Sequence, residues 1–234
     1  MPEPSHRDGP LAFVASLDAP VLSDDDHHHF SRVLRVRDGA EMVLCDGAGS
    51  WRRARFGPTL EVTGPIERVE RVVPELRVGF ALLKGDRPEL VVQKLTELGI
   101  DRIVPFTSDH CVVRWNADRA AKQVERLRRI AREASMQCRR THLPVVEDLA
   151  TFAGLAVGPG DRDRVALAER AGGTVRDLLD GAASVTVLIG PEGGWSDAEL
   201  GAGTDTVGVA VHTLRAETAA IAAGALLTAT RAGL

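Results

Sequence analysis

The stretch LIGPEGGWSDAEL, residues 188–200, decides how this chain is read. An apolar run meets a proline and three glycines and then opens a helix, for which Ser196 and Glu199 form an S-x-x-E capping box. The run itself, SVTVLIG, is apolar almost throughout, as a strand covered on both faces of a parallel sheet must be. Strand, glycine turn and helix make the repeating unit of an α/β fold. Such turns often hold phosphate on backbone N–H groups at a helix start. Here Pro191 has no N–H and Glu192 would repel an anion. The chain carries neither GxGxxG nor GxxxxGK[ST], so the dinucleotide and P-loop readings lose their support.

Two readings of the loop remain open at this point. One is a plain glycine turn. The other is a cradle for a ligand that has no phosphate and offers a cation or hydroxyls to the carboxylate. S-adenosylmethionine has that chemistry: an adenine, a ribose and a sulfonium. A second segment, VHTLRAETAAIAAGALL, places Arg215, Glu217 and Thr218 where the last strand feeds the last helix. Ligands of open α/β sheets bind at the carboxyl ends of strands, where both turns should lie.

Outward from these loops the pattern repeats. LRVGFALL reads as a strand, RPELVVQKLTELG as a helix with Pro88 in its first turn and Gly99 after its end, and RIVPF as a strand. Residues 117–138 form a long amphipathic helix with Ala120, Val124, Leu127, Ala131, Ala134 and Cys138 on its apolar stripe. DLATFAGLA reads as helix, VGPGDRD as loop, VALA as strand and TVGVAV as the last strand. Thr174 and Asp177 start a short helix ending at Gly181. The expected fold is therefore α/β with a mainly parallel sheet over residues 74–234.

Residues 1–73 read differently, as a small β-rich domain. SDDDHHHFSRVLR is a short helix with Phe30, Val33 and Leu34 on its apolar face. AEMVLCDGAGSWRRARF is strand, Asp46-Gly47 turn and strand, with Trp51, Arg53 and Arg55 on one face. TLEVTG adds a third strand, and short strands at close intervals predict a small barrel. A Trp beside arginines suits RNA, and a half-covered Trp with solvated arginines is the alternative.

Net charge is −4 over 234 residues, with 44% hydrophobic residues, values ordinary for a soluble protein. Three scattered cysteines in no CxxC pair argue against a disulfide framework and a zinc site and suit a reducing cytoplasm. The apolar run LAFVA is too short for a leader, and no run approaches a membrane span. Nine basic residues between Arg114 and Arg140 face only Asp118, Glu125 and Glu133, a local positive patch on a slightly acidic chain. Such a patch either steers a polyanion or is simply a solvated helix face.

Taken together, KGDRPELVVQKLTELGI, EASMQCRRTHLP, LIGPEGGWSDAEL and LRAETAA resemble the RsmE family, the 16S ribosomal RNA uracil-N3 methyltransferases of the SPOUT superfamily. HHHFSRVLRVRDGAEMVLCDG is similar to that family's N-terminal PUA-like RNA-binding β-barrel. The resemblance implies a trefoil-knotted methyltransferase domain, a homodimer, S-adenosylmethionine as cofactor, and small-subunit 16S rRNA as substrate, with no membrane. It places the cofactor among Leu167, Ala168 and Glu169, then Ile189, Gly190, Pro191, Glu192, Gly193 and Gly194, then Val209, Leu214, Arg215, Glu217 and Thr218. Arg215 and Glu217 are the catalytic candidates. Arg32, Arg35, Arg53, Arg55, Arg126, Arg129, Arg139 and Arg140 are the candidates for RNA contact.

The chain departs from the family pattern twice. Met136-Gln137-Cys138-Arg139-Arg140 stands where Glu-Gln-x-Gly-Arg is usual, and Arg215-Ala216-Glu217-Thr218 stands for Arg-Thr-Glu-Thr. No metal is expected: on a helix His27, His28 and His29 point about 100° apart and cannot converge on one ion. His110 and His142 are isolated, and His29 is a candidate for RNA contact. Two other functions compete with this reading. A nicotinamide enzyme needs a GxGxxG that FALLKGDRPEL lacks. A non-catalytic ribosome-assembly factor would need no usable cofactor loop.

Overall fold

In the computed structural model, which describes residues 3–156, 160–202 and 204–234, the chain divides after Arg71 into two units. Residues Arg132–Leu143 return to the first. The sequence puts its own cut at 73/74 and, since a continuous helix has no break in composition, carries no sign of this later segment.

In the first unit Leu11–Phe13 (β1) pairs in parallel with Glu41–Cys45 (β2), which pairs antiparallel with Ser50–Arg55 (β3). The β2–β3 turn is held by the Asp46 carboxylate, which accepts from the N–H groups of Ala48 (2.7 Å) and Ser50 (3.0 Å). Gly47, with φ +76°, takes the left-handed position there. Glu61–Val62 (β4) and Glu67–Arg68 (β5) join opposite ends of β3. The result is a mixed five-stranded sheet, open among the described residues, in place of the closed barrel expected.

Three further expectations change in this unit. Asp24–His28 (α1) gives way to a π-helical turn at His29–Val33, and the wider turn swings Val33 and Leu34 into solvent while Phe30 stays buried. Trp51 is only 1% exposed, so it is core and offers no face for a base to stack on. Arg53 lies over its ring at 5.2 Å and pairs with Asp8 and Glu67, and Arg55 pairs with Glu61. Arg32 and Arg35 stay exposed. Met136, in the family's Glu position, packs against both apolar clusters of the unit. Arg139, in the family's Gly position, has φ +64°, a conformation that costs a side chain about 1–2 kcal/mol. Its guanidinium donates to the carbonyls of Ser5 and Gly9.

Asp26 anchors the returning segment. Arg132 donates to both of its carboxylate oxygens (2.9 and 2.7 Å) and the Ser23 hydroxyl adds a third bond at 2.8 Å. Burial pushes the Asp26 carboxyl up, but the Arg132 and Ser23 hydrogen bonds outweigh it and hold the group below the usual carboxylate range. A folded-state value below the unfolded one stabilises the fold above the unfolded value, about 3.9. That stability is lost as pH falls through the lower folded value. Chemical unfolding followed at pH 5 and pH 3 through tryptophan fluorescence, with Trp51 reporting on the first unit, should therefore show a flatter acid loss in Asp26→Asn than in the wild type. Parallel losses in the two proteins would remove Asp26 from the account.

The second unit opens with Glu75–Ala81 (β6), Arg87–Leu98 (α2), Arg102–Thr107 (β7) and Ala117–Cys138 (α3), whose last turns are those counted with the first unit. Val145–Val146 (β8), Ala150–Thr151 (β9), Phe152–Leu155 (α4), Asp163–Glu169 (β10) and Val175–Leu179 (α5) follow. Ser184–Ile189 (β11), Asp197–Leu200 (α6), Asp205–Gly208 (β12) and Ala216–Ala232 (α7) complete it. All pairings are parallel, in the order β12-β10-β11-β6-β7-β8, with β9 also on β7.

The sheet is covered on both faces, as its apolar strands require. One cluster joins Val91, Val92 and Leu95 of α2 with Ala216, Ala220, Ala223 and Leu227 of α7, and takes Leu127 and Ala131 from α3. Gly224 lets α7 close on α2: a Cβ there would sit 2.6 Å from Leu95 Cδ2. The other cluster holds Phe106, Leu167, Leu188 and Trp195, with the Phe106 and Trp195 rings stacked at 6.1 Å. The Thr174 and Ser196 caps form as expected. DLATFAGLA is a two-residue strand and one helical turn rather than a full helix, and Val209 and Ala210 lie beyond the last strand. The first residues of the loop read over VGPGDRD, 157–159, lie outside the described residues. Among the described residues no helix is long and apolar enough to cross a membrane.

Candidate active site

Because β10 lies between β11 and β12, the turns leaving all three strands meet at one edge of the sheet. They enclose a cavity of about 380 Å³, within the usual range for a small-molecule site. The apolar strand ends supply the floor, since Ala168 is the last residue but one of β10 and Ile189 the last of β11.

The glycine turn forms the first wall. Gly194 N–H donates to Pro191 O at 2.9 Å, and φ +72° at Gly194 turns the chain back. Gly190 then lies flat on Trp195, where an added Cβ would come within 3.0 Å of the indole. The Trp195 Nε1–H donates to Ala168 O at 3.3 Å and ties this turn to β10. From outside, His110 Nδ1 bridges Gly193 O (3.2 Å) and Gly194 O (3.1 Å), so that nitrogen carries the proton. Asp109 adds two ties, accepting from the Ser196 hydroxyl (2.6 Å) and donating its N–H to Glu199 (3.0 Å).

The second wall follows β10. Glu169 and Arg170 face the cavity, and the chain then runs so close to β12 that a Cβ on Gly172 would sit 2.5 Å from Val207 N. Only glycine fits there. The third wall runs from Val209 to Arg215, where Arg215 is the N-cap of α7 and lies exposed on the rim.

A fourth element holds the first and third walls together. Arg87, at the start of α2, donates to Glu192 at 2.7 Å and lies 3.8 Å from Glu217 Oε1. Glu217 is 12% exposed, and its Oε2 is buried without a hydrogen-bond partner among the described residues.

Of the expected cofactor residues, Ala168, Glu169, Ile189, Gly190, Pro191, Glu192, Gly194, Val209, Leu214 and Arg215 line one cavity. Leu167 points into the core, Gly193 faces His110, Glu217 stands behind Arg87 and Thr218 is exposed; none of the four is on the wall. Sequence reasoning missed Arg87, Arg170 and Trp195. Trp195 sat inside the quoted loop, and Arg87 inside the KGDRPEL motif, but no periodicity marks a partner 105 residues away. The other expected RNA contacts scatter. Arg126 pairs with Glu89 at 2.9 Å and Arg129 is exposed, whereas Arg139 and Arg140 belong to the first unit.

A family model for the RNA methyltransferase domain matches residues 70–228, most of the chain. The chain belongs to that family. It is 34% identical over 226 residues to ribosomal RNA small subunit methyltransferase E of Mycobacterium bovis, covering 88% of this chain and 85% of that one. The protein of the same name from Bacillus subtilis is 29% identical, with 86% and 87% covered. Among solved structures, ribosomal RNA small subunit methyltransferase E from Neisseria gonorrhoeae, bound to S-adenosyl methionine, matches with a TM-score of 0.82 at 26% identity. It covers 94% of this chain and 97% of that chain. The resemblance first read from the loop motifs names this same methyltransferase family, and neither rival function does.

Proposed function

We propose that this RNA methyltransferase transfers the methyl group of S-adenosylmethionine to N3 of a uridine in 16S rRNA of the small ribosomal subunit. The observation that carries the reading is the single cavity closed by the turns after β10, β11 and β12, with an arginine on its rim. The wall residues fit the cofactor. Backbone groups of a glycine turn can read an adenine edge, Trp195 closes the floor, and Glu169 and Glu192 stand against Arg170 and Arg215 in the lining, so it is not a purely cationic phosphate site. Glu192, engaged by Arg87, is assigned to loop geometry.

When bound, the cofactor supplies a methyl group on a cationic sulfur. The chain must align the uridine for in-line attack, exclude water and accept the N3 proton. That proton sits in a base pair in duplex RNA, so the uridine reacts unpaired or extruded. Arg215 is assigned to the negative charge that develops on the uracil carbonyl oxygens. Glu217, with one buried carboxylate oxygen that has no partner among the described residues, is assigned to receive the proton through water. Its place in the first turn of α7 also suits the helix dipole.

The same reading makes the second unit a trefoil-knotted SPOUT domain, which the parallel order and the tight passage at Gly172 support. It makes the first unit a PUA-like RNA-binding module, with exposed Arg32 and Arg35 in support. Exposed Val211, Leu226 and Leu234 support a homodimer, and free cysteines support a cytoplasmic setting. Calorimetry tests the core of the proposal. S-adenosylmethionine should bind with one-to-one stoichiometry and NADH should not; binding of NADH alone would reverse the assignment.

A further inference from the structure

We infer that a second groove, bounded by the segment after β6, the segment after β7 and the first turns of α3, holds a nucleotide of the RNA strand next to the methylated uridine. The inference rests on the methyltransferase reading and names a substrate subsite that this reading leaves open. The groove encloses about 360 Å³ and is lined by Lys84, Arg114, Trp115, Arg119 and Gln123, with Glu89 as its one carboxylate.

Its chemistry is that of a single-stranded nucleotide. Glu89 is already paired with Arg126 at 2.9 Å, so the lining is effectively cationic. Lys84 and Arg119 are exposed, and their side chains have no partner among the described residues. Arg114 spends one N–H on Ser108 O at 3.3 Å, which fixes its position and leaves other donors of its five free. Trp115 is half-buried against the second cluster, held from below while part of its surface remains open. Of the three tryptophans it alone suits stacking, since Trp51 and Trp195 are 1% and 8% exposed. An indole flanked by cations is how proteins hold unpaired nucleotides, with the ring on the base and the cations on the phosphates. Gln123 adds an amide for a base edge.

Chain connectivity places this groove beside the cavity. Arg87 touches Glu192 and Glu217, and the residue two places on, Glu89, lines the groove. His110 touches Gly193 and Gly194, and a few residues on Arg114 and Trp115 line the groove. Two of the three segments that build the groove, those after β6 and β7, thus also brace the glycine turn.

The test uses the full chain and a decauridine oligonucleotide, with affinity measured across a salt series. Lys84→Ala and Arg119→Ala should each weaken binding several-fold and lower the slope of log K against log salt by about 0.7. Decauridine should quench tryptophan fluorescence in the wild type and fail to do so in Trp115→Phe, which keeps an aromatic ring in the groove. S-adenosylmethionine affinity should stay unchanged in all three. Unchanged salt slopes together with a quench that survives Trp115→Phe overturn the groove, and if the wild type still methylates 16S rRNA the function stands without it. A wild type that neither binds S-adenosylmethionine nor methylates RNA sinks the parent reading instead. Displacement of decauridine by a short poly-glutamate peptide at lower concentration than by RNA reassigns the groove to an acidic protein partner.

Discussion

Replacing Arg215 by alanine should lower the turnover of methyl transfer by roughly 10²–10³-fold while leaving S-adenosylmethionine affinity nearly unchanged. The magnitude is that of removing one preorganised donor from the place where negative charge develops. Arg215 is suited to that task by position. It is the N-cap of α7, its backbone is held by the Ala219 N–H bond at 2.8 Å, and its side chain stands on the cavity rim without an ion-pair partner among the described residues. An arginine that only held the cofactor would be needed in the ground state as well, and its loss would raise the dissociation constant in step with the fall in rate. Single-turnover rates with saturating cofactor, set beside calorimetric affinities, separate the two cases. Matching losses in both would count against the catalytic role.

A loss of stability of about 3–5 kcal/mol is expected for Asp101→Ala, the magnitude found when one member of a buried ion pair is removed. Asp101 and Arg231 are each only 12% exposed and are bonded to one another. The same carboxylate accepts from Leu76 N at 3.0 Å, and Arg231 donates to the carbonyls of Pro74 and Gly99 at 3.1 Å each. This one cluster fixes the start of β6, the turn after α2 and the end of α7, and loss of the carboxylate leaves a buried guanidinium with neutral carbonyl partners and no counter-charge. Urea unfolding of the second unit measures the loss. A double variant, Asp101→Leu with Arg231→Met, should recover much of the stability, because it removes both charges and not one. A single variant within 1 kcal/mol of the wild type would show that the pair is solvated.

The two predictions differ in how visible their residues were beforehand. Arg215 lies in a loop whose role follows from its place after the last strand of a parallel sheet. Asp101 and Arg231 lie 130 residues apart and carry no motif. The helix of residues 117–138 shows the same contrast within one element. Its apolar stripe is legible from 4-3-4 spacing, and Val124, Leu127, Ala131 and Ala134 are all buried. That its last turns leave the second unit for the first is not legible, since the helix runs on without interruption. Arginines show it again: Arg53, Arg55, Arg126 and Arg132 read alike as free positive charge, yet each has a carboxylate partner within its own unit.

From its order of residues alone this chain determines a parallel α/β unit, the N-caps at Thr174 and Ser196, and the two turns that face each other across the cavity. Those follow from interactions within a few residues: side-chain period, proline and glycine geometry, and caps. Only the tertiary structure decides that Arg87 joins Glu192 to Glu217, that Trp51 is core, and that Gly172 must pass against β12. These depend on which distant segments the sheet order brings together, and a local pattern carries no record of the partner it will meet.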